Sequence, residues 1–235
     1  MHKSLKIKGF TLVELLVVIS IVGLLAGLAV PAINSGLKKA KSGACLSNLR
    51  QIGIATLAYA AENSFYFPEA GSGNSPGWAT NIAAFMSIDT KSKKSVFVCP
   101  GCEKAVQDAG TGEVAVTYGM HGGLMPKSGP ATNRLSSVPR ASEVILAADM
   151  CQNPGNKGWS PYSIENPPIF VSQSGGRGGS TQMDSPISTA TDSDTGNNSW
   201  MRYRHSGKVN VVMCDGHAES IKKGSVQNKN VIFAQ

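Results

Sequence analysis

Cys99-Pro-Gly-Cys102 places two sulfurs at a spacing that serves a disulfide, a redox dithiol or half of a zinc site. A zinc site built on this pair calls for a second pair, and Cys45, Cys151 and Cys214 stand alone in the sequence. A thioredoxin-type dithiol should open a helix within a βαβ unit, a pattern missing here. In an oxidising compartment a disulfide through Cys99 or Cys102 is the plainer reading, and five cysteines leave one over. Toward the C-terminus, His205 is followed by nine residues and then Asp215-Gly216-His217. With Asp149 or His121 these side chains are of the right types for a metal or acid–base site, which requires donors converging to about 2 Å. The plainer reading is structural: Asp215 organises a turn with Gly216, and His205 makes one hydrogen bond. A turn at Ser206–Lys208 and another at Asp215-Gly216 would bring His205 toward Asp215 if 202–205, 209–213 and 217–221 are adjacent strands.

Other polar clusters carry less. Asp192-Ser-Asp194-Thr-Gly196 is a fragment of a calcium loop without the distal Glu, and reads as a polar loop. The run Ser174–Ser180 (SGGRGGS) lacks the spacing of a phosphate loop. Trp78, Trp159 and Trp200 read as loop anchors, with a saccharide-binding surface as the functional alternative. No Ser/His/Asp or Cys/His nucleophile set emerges, so no enzyme activity is expected. No cofactor is expected; calcium and zinc are the ions these residues would invite.

The N-terminus is the element that decides how all of this is displayed. Residues 1–9 (MHKSLKIKG) are basic and contain no acid. From Phe10 to Ile33 follow 24 residues with a single charge, Glu14. That length crosses a bilayer as a helix. A secretory signal peptide fits badly, because Ala26, Ala29 and Ala32 only mimic a cleavage site. A carboxylate inside an apolar helix costs a few kcal/mol even on lenient scales, so Glu14 calls for a purpose. Lys3, Lys6 and Lys8 precede the apolar stretch while Lys38, Lys39 and Lys41 follow it, so charge alone leaves the orientation balanced.

The sequence Gly9-Phe10-Thr-Leu-Val-Glu14 resembles the processing site of type IV pilins and type II secretion pseudopilins. Gly9 matches the last leader residue, Phe10 the new N-terminus, Glu14 the fifth mature residue and Pro31 the helix-kinking proline. The resemblance implies cleavage between Gly9 and Phe10 by a prepilin peptidase and N-methylation of Phe10. It implies pairing of the methylated amine with Glu14 of a neighbouring subunit, and extraction from lipid by an inner-membrane assembly platform. Two charges in an apolar bundle each need a partner, so this pairing is physically reasonable. Implied partners are other pilin-like subunits and membrane lipid. The implied location is the inner membrane: one span, N-terminus cytoplasmic, C-terminal domain periplasmic or extracellular. The tail resembles prepilin-type proteins with a C-terminal H-x9-DG motif, here His205 with Asp215-Gly216. Three further segments are family-like: 45–53 (CLSNLRQIG), 97–100 (FVCP) and 117–120 (TYGM). The acidic calcium-binding tail of major pseudopilins is missing, so calcium does not carry over.

After Pro31, apolar residues at Leu37, Ala40, Ala44, Leu49, Ile52, Thr56, Leu57 and Ala60 recur at helical spacing. The expected fold is α+β and pilin-like. A leader spans 1–9, a membrane and assembly helix 10–33, its amphipathic continuation 34–63 and a β-rich globular domain 64–235. One helix over 10–63 would be about 80 Å long and kinked at Pro31. Strands are expected at 95–99, 114–118, 144–148, 209–213 and 217–221, forming an antiparallel sheet with hairpins, with long loops over 151–198. The net charge of +7 is spread thinly, with no run of five basic residues, so no nucleic acid partner is expected. The expected role is a structural subunit of a secretion pseudopilus. The alternatives are a surface pilus or adhesive subunit, and a non-polymerising anchored module that binds metal or glycan.

Overall fold

The computed structural model describes residues 10–69, 77–86, 88, 95–102, 116–125, 133–150, 163–164, 184–187, 189, 192 and 201–231. The chain divides into two compact units, Met1–Ala40 and Lys41–Gln235. Helix α1, Leu12–Glu62, begins in the first unit, ends in the second and passes Pro31 without interruption. The expected span is thus matched to within two residues, with Pro31 inside the helix.

In the first unit, the large apolar side chains from Phe10 to Leu37 are exposed. α1 contains a stretch long and apolar enough to cross a bilayer. Such a stretch suits lipid because a helix satisfies its backbone internally. A helix that is apolar on every face needs lipid or protein around it.

In the second unit, α1 turns amphipathic. Cys45, Leu49, Ile52, Thr56 and Ala60 are buried on one face, a 4-3-4-4 spacing. Ala44, expected on this stripe, is exposed and Cys45 takes its place. α1 is closed by Ser64 and Phe65 at positive φ, with the Phe65 amide bonded back to the Ala60 carbonyl at 2.7 Å.

The helix lies on a five-stranded sheet of order β3-β1-β2-β4-β5. Its strands are β1 Tyr118–His121, β2 Ile145–Asp149, β3 Ser163–Ile164, β4 Lys208–Met213 and β5 Ala218–Lys222. β1, β2, β4 and β5 pair antiparallel, and the two-residue β3 joins β1 in parallel. A short helix α2, Gly77–Ala83, adds Trp78 and Ile82 to the core under α1, and α3, Asn228–Val231, adds Val231 to the opposite side. Val212 of β4 belongs to the helix-side core; Val209, Val211 and Met213 belong to the other. With apolar residues on both faces, β4 is buried from Val209 to Met213 instead of alternating. Gly53 lets the helix approach closely: a Cβ there would sit 2.6 Å from Val212 Cγ2.

Two expected strands are absent. Residues 95–99 form successive turns, closed by Val98 N–H to the Ser95 carbonyl at 3.0 Å and Cys102 N–H to the Cys99 carbonyl at 2.9 Å. The apolar run is explained by burial rather than by a ladder, since Phe97 packs edge-on against Trp78 at 5.5 Å. Residues 202–205 form no strand: Arg202 N–H bonds to the Asp149 carbonyl at 2.9 Å, and His205 then closes a hairpin turn with Lys208. Of the expected 114–118 strand, residues 114–115 lie outside the described residues and only Tyr118 is in a strand, while those at 144–148, 209–213 and 217–221 agree to within one residue.

Candidate functional site

At its N-terminal end, α1 starts with a reciprocal cap. Glu14 Oε2 accepts from the Thr11 amide at 2.9 Å and from the Thr11 hydroxyl at 2.8 Å. The Glu14 amide donates to Thr11 Oγ1 at 3.2 Å. Thr-x-x-Glu is a capping box, and it holds the carboxylate among free helix-end amides. Both accepted bonds end on Oε2, and no cation pairs with Glu14 among the described residues. Gly9, the expected cleavage residue, lies outside the described residues. Phe10, the expected new N-terminus, is exposed, and Pro31 lies inside α1.

Four buried side chains converge in the second unit. Cys45 comes from α1, Cys99 from the turns after residue 95, Asp149 from the end of β2, and His205 from the turn that leads into β4. One donor atom from each lies within 4.8 Å of all the others. Cys99 Sγ is 3.4 Å from Asp149 Oδ2 and 3.3 Å from His205 Nε2. His205 Nε2 is 3.1 Å from Asp149 Oδ2. The second carboxylate oxygen, Oδ1, accepts from Arg204 Nε at 3.0 Å, and the Arg204 Nη2 donates to the Met150 carbonyl at 2.5 Å. The Arg204 side chain is only 6% exposed, so the cation is buried with the acid it faces.

Local sequence explains this placement. In the Cys99-Pro-Gly-Cys102 turn, the Gly101 amide donates to Cys99 Sγ at 3.3 Å. A Cβ on Gly101 would lie 2.8 Å from His205 Cε1, so glycine is needed where the turn covers the imidazole. The Cys99 amide donates to Thr117 Oγ1 at 2.6 Å, which ties the turn to the start of β1. His205 is held by a two-residue hairpin: its amide and carbonyl bond to the Lys208 carbonyl and amide at 3.2 and 3.1 Å. Ser206 and Gly207 between them have φ of 54 and 77°, the left-handed pair that such a turn requires.

The electrostatics follow from close packing. A hydrogen bond with Cys45, burial and the charge of Asp149 all hold the Cys99 thiol far above the ordinary cysteine range. Burial pulls His205 down, but its bonds to Asp149 and Cys99 prevail and raise it to about 9. Tyr118 beside them is raised by burial first, then by Cys45, Cys99 and Asp149. The group holds together around the side chain of Asp149, which His205 and Arg204 share. The same donor set of two sulfurs, one imidazole and one carboxylate can also hold a metal.

The expected His205–Asp215 approach does not occur. The two residues flank β4 at opposite ends, because a strand of six residues separates the hairpin turns on either side. Asp215 instead organises its own turn, as the structural reading expects: Oδ1 accepts from the His217 amide at 3.0 Å and meets His217 Nδ1 at 2.6 Å. Gly216 supplies the positive φ of 91°. Burial works against ionisation of Asp215, yet the His217 amide and ring hold it below the usual carboxylate range. His121 is also elsewhere, with Nε2 at 2.9 Å from the Val231 carbonyl and burial lowering it to about 4.

The cysteine pair of the turn is split. Cys99 points into the cluster, Cys102 is not part of it, and neither is in a disulfide. The expected disulfide through Cys99 or Cys102 is not formed in this structure: the turn sends the Cys99 sulfur inward, toward Cys45. Asp192 is used by Arg202 at 2.6 Å and Lys223 at 2.7 Å rather than by a calcium loop. Asp194, Gly196, Cys151, Trp159, Trp200 and the 174–180 run lie outside the described residues. Trp78, expected as a half-buried loop anchor, is instead a fully buried core residue on α2.

Residues 5–30 match the family model described as the prokaryotic N-terminal methylation motif. The matched segment contains Gly9, Phe10 and Glu14. No solved structure matches the chain. A long N-terminal helix followed by a largely antiparallel sheet is the expected α+β architecture. Sequence reading missed three contributors. Thr11 was legible, since Thr-x-x-Glu ahead of an apolar run is a capping signature. Cys45 lies in a family-like segment but has no partner nearby in sequence. Arg204 beside His205 gave no signal, because its acid is 55 residues away.

Proposed function

We propose that this pilin-like chain is a subunit of a type II secretion pseudopilus. The observation that supports it is the coincidence of Gly9-Phe10 with an acid, Glu14, near the start of an exposed apolar helix. In this reading a prepilin peptidase cuts after Gly9 and Phe10 is N-methylated. The subunit then waits in the inner membrane as a single span, with its N-terminus cytoplasmic and its globular unit on the far side. Glu14 pairs with the methylated amine of a neighbouring subunit as the platform lifts subunits into the fibre. The chain's role is structural, with no reaction of its own. The secretion assignment follows the resemblance of the chain as a whole; a surface pilus uses the same N-terminal chemistry.

The capping box supplies a sharper test than simple removal of Glu14. Glutamine also serves in a capping box, so Glu14→Gln keeps the local hydrogen bonds and deletes only the charge. The expected result is normal processing and membrane insertion with at least tenfold less subunit in sheared fibres. Wild-type incorporation of Glu14→Gln would reduce Glu14 to a helix cap and remove the assembly reading. Deleting the chain should halt export of secreted proteins while leaving surface fibres intact; the opposite pattern would favour the surface pilus.

A further inference from the structure

We propose that Cys45, Cys99, Asp149 and His205 form a tetrahedral zinc site that staples α1 to the sheet of the second unit. Edge lengths are the first support. Zinc bonds of about 2.3 Å to sulfur and about 2.0 Å to nitrogen or oxygen give tetrahedral edges of about 3.3–3.6 Å between unlike ligands. The Cys99–Asp149, Cys99–His205 and His205–Asp149 edges are 3.4, 3.3 and 3.1 Å, so they need to open by only a few tenths of an ångström. Cys45 completes the set within 4.8 Å of the other three.

Charge is the second support. Two thiolates and one carboxylate carry three negative charges, and Zn2+ carries two positive charges. The buried Arg204 guanidinium on Asp149 Oδ1 supplies the last positive charge, so the filled site is neutral with His205 uncharged. On binding, Zn2+ replaces the two thiol protons and any imidazolium proton, which leave to solvent; no redox step is involved.

The surroundings are the third support. Arg204 fixes one carboxylate oxygen and leaves Oδ2 facing the other donors, the arrangement that orients a ligating carboxylate. The Gly101 amide points at Cys99 Sγ, a bond that favours thiolate over thiol. The ligands come from four separate elements, whereas the Cys99-Pro-Gly-Cys102 spacing by itself would have predicted Cys102 as the second sulfur. All four protein ligands are buried, which describes a closed structural site rather than one with a position open to substrate. Thiolate and imidazole favour zinc over the calcium of all-oxygen sites.

The test uses the full chain, purified from membranes in detergent without chelator under reducing conditions. Elemental analysis should find about one zinc per chain, and X-ray absorption at the zinc edge should show two sulfurs at about 2.3 Å with two lighter ligands at about 2.0 Å. Cys45→Ser and Cys99→Ser should each lose at least nine-tenths of the metal, while Cys214→Ser, which removes a buried thiol outside the cluster, should keep it. The wild-type absorption spectrum stands even if a cysteine variant fails to fold. Two results would overturn the site: less than one-tenth zinc per chain after incubation of the reduced protein with excess zinc chloride, or native protein lighter by two hydrogens with Cys45 and Cys99 in one crosslinked peptide. Neither result bears on processing or fibre assembly.

Discussion

Glu14 and Asp149 are both acids set among apolar residues, and the two units of the chain satisfy them by opposite means. Glu14 is served by Thr11, three residues away, and needs nothing but the start of its own helix. Asp149 is fully buried and is served by Cys99, 50 residues upstream, and by Arg204, 55 residues downstream. The first arrangement forms as soon as one helical turn forms. The second exists only when helix, turns and sheet have assembled. The N-terminal carboxylate keeps one oxygen free of hydrogen bonds among the described residues, which suits a group with a later partner. The buried carboxylate is occupied on both oxygens, which suits a group that fixes a fold.

That contrast can be broken at the buried end first. Asp149→Ala leaves Arg204 buried without its acid, and breaking such a pair costs about 3–5 kcal/mol. Urea unfolding of the full chain in detergent should show that loss, with the double variant Asp149→Ala, Arg204→Met recovering a large part of it. A single-variant loss below about 1 kcal/mol would mean that the pair is wetter than its burial implies.

Acid should act on the same unit by a separate route. His121 is held neutral by burial, at about 4 against an ordinary 6.5. A histidine lowered in the folded state charges more readily when unfolded. Its stabilising effect is therefore complete above pH 6.5 and is lost as pH falls toward 4. The size is on the order of 3 kcal/mol. With chelator present, His205, raised to about 9, acts in the opposite sense: its stabilising effect is complete well below pH 6.5 and is lost as pH rises toward 9. His121→Gln should flatten the stability curve between pH 6.5 and 4, and an unchanged slope would contradict the buried neutral tautomer.

At the local end the effect should be small and confined. Thr11→Ala removes a helix cap worth about 1 kcal/mol. Amide exchange in micelles should quicken about fivefold at the first turn of α1, with no change in the sheet. If Thr11→Ala blocked fibre incorporation as severely as Glu14→Gln, the cap and not the charge would be what assembly requires.

The legibility of the molecule follows the same division. Whatever is held by neighbours in sequence could be read: the apolar span, the end of α1 near Asn63, the Asp215-Gly216 turn and three strands placed to within a residue. The segment 95–99 misled because a run of buried apolar residues looks like a strand whether or not its amides enter a ladder; here they close turns. The four-residue cluster was half visible. Cys99, Asp149 and His205 were named, but as members of different pairings, with Cys102 and with Asp215. Spacing along the chain favours near neighbours, and the fold instead joins residues 45, 99, 149 and 205. Sequence periodicity did place Cys45 one residue from the buried stripe. A single helical position decided whether that thiol faces solvent or the sheet.

The proposal that this chain is a processed pilin-like subunit is tested most directly by its mass. Intact mass and N-terminal sequencing should be run on the protein taken from the membranes of its own cells. The account predicts a chain that begins at Phe10, without Met1–Gly9 and with one added methyl group on the terminal amine. A chain that still begins at Met1 with its full mass would contradict it, and would leave a permanent anchor carrying the globular unit.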